Sequence, residues 1–244
     1  MYQAAAALSA NARWQEAISE NLSAATVPGF KKTDLSFSAF EAGLMPQDAA
    51  RGQKFMLPRA AASTTFSQGG FQTTGVGTHA AIDGQGFFEI QLPGGELGYT
   101  RDGEFSLNSS GQLVTKQGYP VLADGGALQF DRNTPGEVSI SADGTVSKGS
   151  ETRGRLRVVR FNDPALLTPA GAGHWKAENP AIQKNDETSP TIRGGVLEMS
   201  NTSVVREMVG MINAMRMFEA NQKIIQAQDE RMGRTISELG GTTS

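Results

Sequence analysis

From Val204 to Leu239 an apolar side chain returns at every seventh position: Val204, Met211, Phe218, Ile225, Met232 and Leu239. No strand, whose faces alternate every two residues, keeps that period, so the stretch from about 201 to 239 must be helical. About 38 residues at 1.5 Å each make a helix of roughly 57 Å, against a usual length of about a dozen residues. Met208, Met215 and Ile236 occupy the companion position, while Gln222 and Asp229 interrupt it. The pattern reads as a coiled-coil seam in which polar residues trade stability for register. Five of the nine methionines (Met208, Met211, Met215, Met217 and Met232) lie here, which suits an adaptable helix interface better than a cofactor pocket.

The other end is also helical. Residues 3 to 26 are Ala-rich, lack Gly and Pro, and place Leu8, Ile18 and Leu22 near one side. Thr26-Val27-Pro28-Gly29 stops this helix, because proline removes a donor and drives its predecessor out of helical geometry. The apolar stripe is thin, with Asn11 and Gln15 in it, so its packing surface is expected from another chain. Residues 31 to 78 hold no period for long and read as an extended arm.

From about Ala80 to Arg193 short alternating runs are separated by Gly turns. The strands expected are 86–92, 97–101, 104–107, 112–115, 119–122, 138–141 and 154–161, an antiparallel β pattern. The predicted fold is α+β: long N- and C-terminal helices forming a coiled-coil-like axial domain, a central mainly antiparallel β domain, and an extended connecting arm. The boundaries are 1–30, 31–78, 79–195 and 196–244, with the last helix packing on the first.

Composition narrows the function. The 244 residues carry 22 Lys+Arg against 25 Asp+Glu, a net charge of -3, so no basic excess exists to neutralise phosphates and nucleic acid is not expected as a partner. With no Cys and only His79 and His174, thiolate and histidine metal sites and histidine relays lack material. No window reaches the roughly 18 apolar residues of a membrane span, so no stable membrane insertion is expected. Arg13, Glu16 and Glu20 break any signal-peptide core, so a cleaved signal is not expected either.

Other motifs read as structural. Gly84-Gln85-Gly86 and Gly94-Gly95 precede no helix and read as hairpin turns, not phosphate cradles. Asp83, Asp102, Asp124 and Asp143 each precede Gly, and tight-turn chemistry accounts for them without a catalytic role. His174 beside Trp175 reads as a loop anchor. Arg153, Arg155 and Arg157 share one face of a candidate strand, either a solvated face or a docking face for an acidic neighbour. No catalytic residue, cofactor or metal is expected.

Three stretches resemble the bacterial flagellar basal-body rod and hook protein family. Asn21 to Lys31 (NLSAATVPGFK) is similar to its N-terminal signature, departing at Ala24, where the family has Asn, and Val27, where it has Thr. Gly84 to Phe88, Tyr99 to Phe105, Gly111 to Val114 and Gly118 to Val121 resemble its central β signature in order and spacing. Gly195 to Asn201, then Met211-Ile212, Arg216, Phe218-Glu219 and Lys223, resemble its C-terminal signature.

The resemblance implies a structural, non-enzymatic rod subunit in the flagellar basal body, spanning the periplasm. Its expected partners are other rod proteins, copies of itself and the flagellar type III export apparatus, which would pass it uncleaved. Short length and a single β domain resemble the rod members, and residues 154–175 resemble the proximal ones; distal rod members are the alternative. A secreted β-domain enzyme or binding module with oligomerising helices is the reading from another class. The assembly interface expected is Leu8, Ile18, Leu22, Val204, Met208, Met211, Met215, Phe218, Ile225, Met232 and Leu239.

Overall fold

The computed structural model describes residues 2–44, 54–131 and 134–240, with side chains described for 6–36, 61–131, 134–235 and 237. The chain divides into two units. The first comprises Met1–Ser23, Thr33–Ser63 and Ser203–Ser244; the second comprises Ala24–Lys32 and Thr64–Thr202.

In the first unit, helix α1 (Tyr2–Ser23) packs on helix α2 (Val204–Gly240). The contacts run in opposite directions along the two chains: Asn21 Nδ2 reaches Glu207 Oε2 at 3.3 Å, Ile18 Cδ1 lies 3.4 Å from a Cβ built at Gly210, and Asn11 Nδ2 donates to the Ala214 carbonyl at 2.9 Å. The helices are therefore antiparallel. Small residues line the contact, with Ala10, Ala17 and Ala214 buried and Gly210 open to Ile18, so the backbones approach closely. Asn21 also exchanges two hydrogen bonds of 2.9 Å with the Thr33 backbone. Strands Thr33–Leu44 and Lys54–Thr64 pair into a two-stranded ribbon. The segment read as an arm thus carries paired strands; its alternation of Leu35 and Phe37 with Ser36 and Ser38 fails at Ala39-Phe40, which hides them from a period count.

The predicted coiled-coil-like domain of long terminal helices does not form. α1 is short, with 22 residues against 37 for α2, so the two share no long common seam. The positions of α2 that lose solvent are Glu207, Gly210, Met211, Ala214, Phe218, Asn221, Ile225 and Gln228. The 211/218/225 row faces inward, but its companion is 207/214/221/228 and not the expected 208/215/236. Met208 and Met215 are 54% and 52% exposed, and Val204 and Met232 are exposed as well. The side chains of Ile236 and Leu239 lie outside those described.

Among its described residues the second unit is built from β strands joined by turns and loops, with one 3-10 turn at Pro164–Leu166. Its main sheet has six antiparallel strands in the spatial order 168–171, 174–176, 97–100, 87–91, 158–161 and 184–186. Alternation along 87–91 sends Phe88 and Ile90 into one core with Phe105, Leu113, Val121, Leu128, Phe130, Val146 and Leu156. Phe87 points into a second core with Tyr99, Val159, Phe161, Leu167 and Trp175. This core is aromatic, with Tyr99 against Phe161 at 4.8 Å and Phe87 against Trp175 at 5.8 Å, both edge-on. His174 and Trp175 therefore sit in a strand, not in a loop. Smaller antiparallel pairs join 80–82 to 192–194 and 71–73 to 196–198.

Candidate assembly site

Within the second unit, the three signature stretches converge on one buried carboxylate. Glu198 lies in strand Val196–Glu198, which pairs with Phe71–Thr73, and its side chain is fully buried. Lys31 Nζ and Gly69 N both donate to Oε1, and Arg101 Nη1 donates to Oε2 at 3.2 Å. Lys31 also donates to the Ser67 carbonyl, and Arg101 to the Gly84 carbonyl, each at 2.8 Å. Burial pushes the Lys31 amine and the Arg101 guanidinium below their ordinary values, an effect that Glu198 opposes in both. Two cations on one anion, each with a backbone partner, satisfy charges that would otherwise be costly to bury.

Backbone contacts tie the same stretches together. Gly29 N donates to the Glu198 carbonyl at 2.7 Å, and Asn201 Nδ2 donates to the Thr65 carbonyl at 2.7 Å while its Oδ1 accepts from Lys32 N. Gly29 has φ +69°, and a Cβ there would lie 2.2 Å from Asp102 N. Only glycine satisfies both the left-handed turn and that approach. α1 already ends at Ser23, short of the stop read at Thr26 to Gly29, and Gly29 instead docks the chain against the Arg101-Asp102 backbone.

Asp102 differs from the other Asp-Gly aspartates. It is 5% exposed, and burial raises its carboxyl to about 6, while Oδ1 accepts from Glu104 N at 2.9 Å. A Cβ at Gly103 would overlap the Ala80 carbonyl oxygen at 1.6 Å, so this glycine answers to close packing and not to φ. Asp143 is the ordinary case, accepting from both the amide and the hydroxyl of Thr145.

In the first unit, α2 presents an apolar face away from α1. Val205, Met208, Val209, Ile212 and Met215 are between 51% and 72% exposed and fall within about a third of the helix circumference. Met217 and Ile224 are exposed on a flank. Of the predicted interface residues, Ile18 is buried at 3%, Leu8 and Leu22 are half-buried on α1, and Met211, Phe218 and Ile225 are half-buried on α2. Val204, Met208, Met215 and Met232 remain open. The sequence period located the helix but merged two faces, one turned inward and one turned out.

The three arginines each hold a carboxylate. Arg153 pairs with Glu151, Arg155 with Asp124 at 3.2 Å, and Arg157 with the fully buried Glu89 at 3.0 Å. Glu89 also binds Lys184 at 2.9 Å, and its hydrogen bond raises the Arg157 guanidinium. Sequence reasoning placed Lys31, Arg101 and Glu198 in signature stretches but gave them no structural role, because a charged residue in a strand or turn carries no mark of burial. Among the described residues, no three His, Asp or Glu side chains group in a way that would hold a metal.

Comparison with known proteins agrees with this geometry. Residues 81–148 match the family model described as the flagellar hook protein FlgE/F/G D1 domain, and 193–238 match that of the flagellar basal body rod FlgEFG protein C-terminal. A flagellar basal-body rod protein FlgG from Borreliella burgdorferi is 34% identical, the match covering 96% of each chain. A FlgF from Caulobacter vibrioides is 34% identical over 91% of this chain and 90% of that one. A FlgF from Mesorhizobium japonicum is 30% identical, over 98% and 97%.

Proposed function

From the premise that this chain belongs to the flagellar basal-body rod protein family, we propose that it takes a place in the proximal part of the rod and joins its neighbours through the exposed face of α2. It is a structural subunit of the flagellar basal-body rod. The observation that carries the assembly reading is the row Val205, Met208, Val209, Ile212 and Met215, an apolar surface that its own unit leaves uncovered. Family membership supports neighbouring rod subunits, including copies of this chain, as the occupants, in a contact that repeats from subunit to subunit.

The proximal assignment is supported by length. Only 53 residues separate Phe30 from Gly84, too few for the additional stretch typical of distal members. Export by the flagellar type III apparatus without cleavage is part of the same reading; the hydrogen bonds of Asn11 and Asn21 support it by giving α1 a place in the folded unit. The subunit catalyses nothing on this reading. The decisive experiment is to delete the gene and purify basal bodies. Loss of the whole rod beyond its base supports the proximal place, whereas a rod that forms its proximal part and stops supports the distal one.

A further inference from the structure

The chain contains no cysteine, so its readily oxidised sulfurs are the nine methionines. Among residues with described side chains, every exposed methionine lies on α2: Met208 at 54%, Met215 at 52%, Met217 at 54% and Met232 at 46%. Met199 and Met211 are half-buried. Met208 and Met215, seven residues apart, flank Ile212 on the face turned away from α1.

We infer that Met208 and Met215 form a peroxide-oxidisable site whose state controls incorporation of the unassembled subunit. The inference rests on the assembly reading of this face. Each thioether takes one oxygen from hydrogen peroxide, giving a sulfoxide and water; sulfur loses two electrons and the peroxide O–O bond is broken. The sulfoxide turns a flexible apolar side chain into a polar, chiral one with a strong acceptor. In the free subunit that acceptor meets water. Against an apolar neighbour it loses water without a donor in return, so burial becomes unfavourable. Once assembled, the same contact shields the sulfur, so the oxidation acts on subunits awaiting assembly. Methionine sulfoxide reductases reverse it.

The test uses the full chain. Purified protein is treated with hydrogen peroxide, and sulfoxides are mapped by peptide mass spectrometry. Met208 and Met215 should convert well before Met199 and Met211; equal rates at all four would overturn the site. In parallel, Met208→Gln/Met215→Gln, a permanently polar mimic, and Met208→Leu/Met215→Leu are expressed in a strain lacking the natural copy. Incorporation into purified basal bodies should be about tenfold or more lower for the glutamine pair than for the leucine pair, with both melting normally. Peroxide-treated wild type should lose incorporation into rods and regain it after reductase treatment, while the leucine pair should not respond. Normal incorporation of the glutamine pair overturns the control function. Failure of the assembly reading looks different: the leucine pair, the glutamine pair and a Met208→Asp/Met215→Asp pair would then all incorporate alike.

Discussion

Lys31 and Glu198, 167 positions apart, form an ion pair in which both side chains are fully shielded from solvent. With Arg101 on the other carboxylate oxygen, the pair joins the N-terminal, central and C-terminal signature stretches in one contact set. Glu198→Gln leaves two buried cations without a counter-charge and should destabilise the second unit by about 3 to 5 kcal/mol. Lys31→Met leaves Arg101 with Glu198 and should cost less. Urea unfolding of both single variants and the double variant measures the coupling; a coupling near zero would mean the triad is not energetically linked.

Acid should act on this protein through two buried groups of opposite sign. Asp102 has its carboxyl raised from 3.8 to about 6 by burial, so the folded chain binds that proton more tightly than the unfolded chain. Its penalty is present at neutral pH and is relieved as pH falls from about 6 towards 3.8. His174 is lowered from 6.5 by burial, so its stabilising neutral form is favoured above 6.5 and that stability is lost as pH falls below it. Its Nδ1 faces the Gly171 carbonyl and its Nε2 has no partner, so a proton there is buried unpaired. Asp102→Asn keeps the acceptor for Glu104 N and should add up to about 3 kcal/mol near pH 7.5. It should also steepen the loss of stability between about pH 6.5 and 4, while His174→Gln should flatten it. Thermal melts across this range decide it, and identical slopes in all three proteins would refute the assignment.

Phe218 and Met215 should separate two roles of α2. Phe218 is half-buried in the row facing α1, so its ring contributes only part of the roughly 1.5 to 3 kcal/mol that full burial would give. Phe218→Asp should therefore reduce far-ultraviolet helicity as well as incorporation into the rod. Met215→Asp, on the exposed face, should leave helicity intact and block incorporation alone. Glu230→Gln should be nearly silent in both assays. A Phe218→Asp protein that retains full helicity would show that the row adds nothing to the helix pair.

Limited proteolysis of the free chain should leave a resistant piece running from near residue 64 to near 202, with the Ala24–Lys32 segment held on it, wider than the 79–195 that β patterning alone suggests. Strand 71–73 pairs with 196–198, so both are integral to the second unit. Mass spectrometry of the fragments gives the limits, and a protected core ending before Glu198 would contradict the role assigned to that residue.

The β strands were legible where turn chemistry brackets them. Asp83-Gly84 and Gly94-Gly95 flank strand 87–91, and strand 97–100 ends before Asp102-Gly103. The helices were legible in kind but not in facing. Glu207, Ala214, Asn221 and Gln228 complete the inward row of α2, and none of them is strongly apolar, so counting hydrophobic residues assigned the neighbouring methionines instead. The buried triad was illegible because pairing at 167 positions' distance leaves no local trace. Likewise, the alternation of Arg153, Arg155 and Arg157 promised one face, but the strand ends at Arg155 and the ladder is irregular beside Val146 and Ser147.

The triad also sets a clock. A ribosome, or any channel that passes the chain from its N-terminus, delivers Lys31 first, Arg101 next and Glu198 only near the end of the β unit. Until Glu198 emerges, closing the unit around Lys31 and Arg101 would bury like charges with no counter-ion, which is strongly unfavourable. The edge strand 71–73 likewise waits for its partner at 196–198. The last tenth of the β unit's sequence therefore acts as a latch. The β unit stays threadable for most of its passage and locks only when nearly all of that unit has arrived, with α2 still to follow.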